Sequence, residues 1–128
     1  MNQWIPFEKG EYIVVQALLV SPDASAVAFE KAMIEISLDG EGQKHLKGTG
    51  MLRPFLMVSL YEEEDDIDLL LDLGGKFKYR LRKPDLRAGK VFAPDTSAVV
   101  QFYPSAPWEP VSEAEFGELV NHLNFIEN

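Results

Sequence analysis

Ile67-Asp68-Leu69-Leu70-Leu71-Asp72-Leu73-Gly74-Gly75-Lys76-Phe77-Lys78-Tyr79-Arg80-Leu81-Arg82 decides how the chain is read. Two runs rich in β-compatible residues flank Gly74-Gly75, where glycine supplies the positive φ of a hairpin turn. The register can be tested on paper. A two-residue loop sets Leu71 against Lys78 and Asp72 against Phe77, so each face mixes apolar with charged groups. A three-residue loop sets Leu73 with Phe77, Leu71 with Tyr79 and Leu69 with Leu81 on one face. The other face then pairs Asp72 with Lys78 and Asp68 with Arg82. Because a one-residue slip sends every side chain to the opposite face, only the second register satisfies both faces. The prediction is an antiparallel hairpin with a three-residue loop and a glycine bulge.

Upstream, Phe55 to Tyr61 is apolar on both parities, the mark of a strand buried on two faces. Ala32, Ile34, Ile36 and Leu38 alternate with more polar residues, a strand period. Asp39-Gly40-Glu41-Gly42 follows as a turn, and Gln43 to Lys47 as a short return strand. Gly48-Thr49-Gly50 reads as a bend or bulge. Glu11 to Val20 reads as one strand ended by Ser21-Pro22-Asp23. Ala24 to Lys31 is open between a short helix capped by Asp23 and a strand through Val27 and Phe29.

Downstream, Pro84 to Pro94 reads as a loop or irregular edge, and Ser97 to Tyr103 as a strand. Pro104, Pro107 and Pro110 stiffen the chain into an extended path. A helix then starts at Ser112. Ser112 and Glu115 make a capping box, and Val111 with Phe116 a hydrophobic staple. Phe116, Leu119, Val120 and Leu123 share one helical face. The sum is one domain over residues 1–128, mainly β. It is an antiparallel β-sandwich or partly closed barrel of six to seven strands with one C-terminal α-helix. An α+β roll with a helix near Ala24–Lys31 is the alternative.

The 128 residues are 46% hydrophobic, enough for a core, and contain no cysteine. That removes disulfides, thiolate nucleophiles and zinc–thiolate sites. No signal peptide or membrane span is read, so the expected setting is the cytoplasm. Net charge is −9, and no lysine or arginine follows Lys90. Such a charge repels nucleic acid and anionic membranes and suits a basic partner.

Each candidate constellation has an ordinary reading beside it. Glu62 to Asp66 is contiguous, so its alternate side chains diverge, unlike the spaced ligands of a calcium loop. Lys76, Lys78, Arg80, Arg82, Lys83, Arg87 and Lys90 form one basic cluster, which the predicted register neutralises as a charge ladder. Arg87 and Lys90 stay outside that ladder and are candidates for anion binding. Glu118 and His122, four apart on the helix, are two ligands without a third, so no metal is assigned. Trp108, in the proline-rich stretch, reads either as a partner's anchor or as a cap on the core. The chain lacks a nucleophile elbow, a phosphate loop and a dinucleotide fingerprint; no catalytic residue and no cofactor are assigned.

These observations favour a non-enzymatic acidic module, adaptor-, chaperone- or immunity-like, that binds a basic or amphipathic protein. Trp108, Glu109, Glu118 and His122 are its candidate contact residues. The alternatives are a small-ligand-binding barrel or enzyme, and a structural subunit, homo-oligomers included, joined through strand edges.

Overall fold

The computed structural model describes residues 5, 7–53, 66–88 and 98–126. The central strand read over Phe55–Tyr61 lies outside them, as does Lys90. The described chain forms two sheets and one helix, a sandwich rather than a closed barrel. The five-stranded sheet has the order β1 (Gly10–Ile13), β4 (Glu30–Leu38), β5 (Lys44–Leu52), β9 (Ala98–Tyr103), β8 (Asp85–Ala88). The six-stranded sheet has the order β10 (Glu109–Pro110), β7 (Lys78–Leu81), β6 (Asp68–Asp72), β2 (Gln16–Val20), β3 (Ser25–Ala28), β11 (Asn124–Phe125). Two of these eleven strands, β10 and β11, are only two residues long, which accounts for part of the excess over the six or seven expected.

The deciding hairpin has the predicted register. Leu69 faces Leu81, Leu71 faces Tyr79 and Asp72 faces Lys78. Leu73 N–H donates to Phe77 O across the Gly74-Gly75-Lys76 loop, with Gly74 at φ 104° and Gly75 at φ 53°. Leu69, Leu71, Tyr79 and Leu81 then join Leu19, Ile34, Ile36 and Phe102 in the core between the sheets.

Two local readings change, and one left open is resolved. The Glu11–Val20 run is two strands, because Val14 N–H donates to Ala32 O in one sheet and Val15 N–H to Asp72 O in the other. The chain changes sheets between neighbouring residues, and an apolar run is compatible with both. Gly48-Thr49-Gly50 is not a bend but the middle of the nine-residue β5. Its glycines make room for aromatic rings: a Cβ on Gly48 would lie 2.0 Å from the Phe102 ring, and one on Gly50 2.7 Å from Phe29. The open segment 24–31 holds β3 and the start of β4 rather than a helix, since Asp23 accepts from Ser25 N–H and turns the β2–β3 hairpin instead of capping a helix. Pro84–Pro94 begins as β8, an edge strand paired with β9.

Helix α1 (Glu113–Asn121) starts where its signals predict, with Glu115 N–H donating to Ser112 Oγ at 3.1 Å. Val111 and Phe116 meet in a second apolar cluster with Leu18 and Leu70, on the outer face of the six-stranded sheet. That sheet is therefore apolar on both faces at its centre. β10 and β11 occupy its opposite edges and α1 runs between them, so residues 109–125 form a strap. Six strands span five gaps, roughly 24 Å, a distance that nine helical residues (about 14 Å) and their short linkers cover. No helix among the described residues is long and apolar enough to cross a membrane.

Candidate functional site

Two surfaces remain once the core and the strap are accounted for. The first is a cavity of about 580 Å³ on the outer face of the six-stranded sheet. Val20, Ser21 and Pro22 form one wall, where β2 ends. Asp68 and Arg80 form the floor, and Arg82, Lys83, Asp66, Ser105 and Ala106 the rim. Residues of β7 with even numbers point outward, as the register requires, which brings Arg80 and Arg82 to this side.

Asp68 organises the floor. Its side chain is 12% exposed. Oδ2 accepts from Arg80 Nε (3.1 Å), Arg80 Nη2 (2.8 Å) and Arg82 Nη1 (3.3 Å), and Oδ1 from the Lys83 backbone N–H (3.3 Å). A buried carboxylate loses its water partners, and these four hydrogen bonds replace them. Arg82 also grips Glu109 through Nε (3.0 Å) and Nη2 (3.4 Å). The hydrogen bonds from Arg82 hold Glu109 below the usual carboxylate range, and Glu109 raises Arg82 in return. Lys83 adopts φ 44°, a left-handed conformation that costs a residue with a side chain about 1 kcal/mol. It breaks the strand alternation at the end of β7, and Lys83 Nζ pairs with Asp66 at 2.6 Å. Ser105 Oγ donates to the Arg82 and Lys83 carbonyls, fixing the bend.

The second surface is the outer face of the five-stranded sheet. The odd-numbered residues of β1, β4, β5 and β9 point this way, opposite to the core. Met33 lies between Ile13 and Thr49, and Met51 between Glu30 and Val99, by strand pairing. Ile13 is 81% exposed and Val99 54%. Glu11 and Glu35 adjoin them on β1 and β4. Among the described residues no helix lies on this face.

The predicted contact residues do not form one site. Trp108 is 5% exposed and packs against Tyr79 in a tilted pair with ring centroids 5.3 Å apart, so it takes the packing role of its two readings. Burial raises the Tyr79 hydroxyl above its ordinary value. Glu109 is engaged by Arg82. Glu118 and His122 are exposed on α1 and at its C-cap, away from the cavity lining. No metal-binding cluster is found among the described residues.

The basic cluster is a ladder, as the register implies: Lys78 pairs with Asp72 (3.2 Å), and Arg80 and Arg82 with Asp68. Arg87 stays outside it and pairs with Asp85 of its own strand (3.0 Å). Arg87 also lies over the Tyr103 ring, 4.8 Å from its centroid. It sits on the five-stranded sheet, so it does not join the arginines of the cavity. Sequence reasoning missed the cavity because its walls come from segments near residues 20, 68, 82 and 105. The one local signal was the odd position of Lys83, immediately after the Arg80–Arg82 alternation and before Pro84.

Compared with known proteins, the chain matches no family model, no curated protein and no solved structure.

Proposed function

We propose that the chain is a non-catalytic protein-binding module that receives a basic, amphipathic segment of a partner on the outer face of its five-stranded sheet. One observation carries this reading: Ile13 and Val99 stand exposed on a sheet face, while the equivalent face of the other sheet lies beneath α1. Large apolar side chains grouped on an open face favour association. Met33 and Met51 beside them are flexible and polarisable, suited to an amphipathic surface. The charge of −9 supports the choice of a basic partner, since it accelerates encounter with one.

The test uses two synthetic peptides of one apolar pattern, one carrying lysines and the other glutamates. The lysine peptide should shift the NMR methyl signals of Ile13, Met33, Met51 and Val99. Replacing Ile13 and Val99 together by lysine should abolish the shifts without lowering the unfolding midpoint, since both side chains are exposed. Equal binding of both peptides, or shifts confined to α1, refutes the proposal. Self-association that the same double substitution abolishes would assign the face to a second copy of the chain instead.

A further inference from the structure

We infer that the cavity beside Arg80 is a binding site for a small monoanionic ligand, a carboxylate with an apolar body. The inference is independent of the sheet face. Its volume, about 580 Å³, lies in the range of small-molecule sites. Its chemistry is divided: Val20, Pro22 and Ala106 offer apolar contact, and Arg80, Arg82 and Lys83 offer cationic donors.

Asp68 prepares the site rather than filling it. It takes Nε and Nη2 of Arg80, which orients the guanidinium. No hydrogen bond from Arg80 Nη1 is found among the described residues, and a planar carboxylate matches such a donor edge. Lys83 lines the cavity and its backbone is left-handed. Backbone strain of this kind is concentrated at functional positions. Its pair with Asp66 is solvent-exposed, at 66% and 53% of the two side chains, and such pairs hold little energy. A ligand carboxylate can therefore join Asp66 at the Lys83 ammonium, which carries three donors.

The resident acids select the ligand's charge. Asp66 and Asp68 line the cavity, and Glu109 lies on the far edge of Arg82. Three acids balance these three bases, so the cavity has no surplus positive charge to offset the second charge of a phosphate dianion. An uncharged amide of the same shape offers the cationic donors one neutral carbonyl oxygen in place of two charged ones, a weaker hydrogen-bond acceptor.

Hexanoate, hexanamide and inorganic phosphate are the probes, titrated into the full chain at low salt. Amide and arginine side-chain NMR signals are the readout. Hexanoate should move the signals of Ser21, Arg80, Arg82, Lys83 and Ala106 together, and bind at least tenfold tighter than hexanamide or phosphate. Lys83→Gln should weaken hexanoate at least fivefold, and Ala106→Phe, which fills the cavity and leaves every charge in place, should abolish it. Both positions are exposed, so an unchanged spectrum elsewhere will report an intact fold. Equal affinity for hexanamide, tighter binding of phosphate, binding that survives Ala106→Phe, or no hexanoate response at 50 mM would each overturn the inference.

Discussion

Gly48→Ala adds one carbon and should be among the most damaging single changes in this chain. The new Cβ would stand 2.0 Å from both Cε1 and Cζ of Phe102, the residue directly opposite on β9. Ordinary contact begins near 3.4 Å, so the ring must retreat by more than an ångström. It has nowhere to go. Phe102 is fully buried, and its ring lies 5.9 Å from that of Phe29. Phe29 in turn sits over Gly50, 2.7 Å from where a Cβ would be. Overpacking of a filled core costs about 1–3 kcal/mol, occasionally more, and the coupled rings place this case at about 3 kcal/mol or above. The gain from replacing glycine within a strand, about 0.5–1 kcal/mol, does not offset it. Urea denaturation should show the loss as a lower midpoint with an unchanged slope. Gly40→Ala is the control: a Cβ there has nothing within 4 Å, so the change should stay within about 0.5 kcal/mol. Phe102→Leu combined with Gly48→Ala should be less destabilised than the two single changes summed. A loss below 1 kcal/mol for Gly48→Ala, or strict additivity with Phe102→Leu, would refute ring-over-glycine packing.

Phe116→Ala should cost about 3 kcal/mol, because its side chain is buried against Leu18 and Leu70; Ser112→Ala should cost about 1 kcal/mol by loss of the cap. Both are measured by denaturant titration. Asp68→Asn should cost about 1–2 kcal/mol, since Arg80 loses its carboxylate while the half-exposed Arg82 keeps Glu109; loss of the Arg80 side-chain NMR shift would mark the same event. Glu109 has a lowered pKa in the folded state, so its contribution is complete above the usual carboxylate range and is lost as pH falls through the folded value. Thermal midpoints should therefore fall less steeply on acidification in Glu109→Gln than in the parent chain, with the difference confined to acidic pH.

The hairpin at 67–82 was legible because two demands, apolar pairing and charge pairing, agreed on one register. The helix was legible because cap, staple and apolar face are all local in sequence. Gly48 and Gly50 were misread for the converse reason. Glycine in a strand signals either a bend or a close neighbour, and the neighbours here are residues 102 and 29. Likewise the β1–β2 break left no mark in the sequence, since Val14 and Val15 suit either sheet. β11 carries no pattern at all: it has two residues, and its pairing with β3 is parallel. The cavity was half legible, its bases visible as a cluster and its walls scattered along the chain.

The strap formed by β10, α1 and β11 has a consequence for what happens when the protein opens partway. Peeling residues 109–125 away would uncover Leu18 and Leu70 and bare the hydrogen-bonding rims of β7 and β3 in a single event. Raw strand rims beside an apolar stripe are templates for intermolecular pairing. Clumping during heating or storage should thus track the free energy of releasing this one segment rather than that of melting the whole sandwich. A protease that nicks the strap should seed precipitation from material whose other strands remain folded.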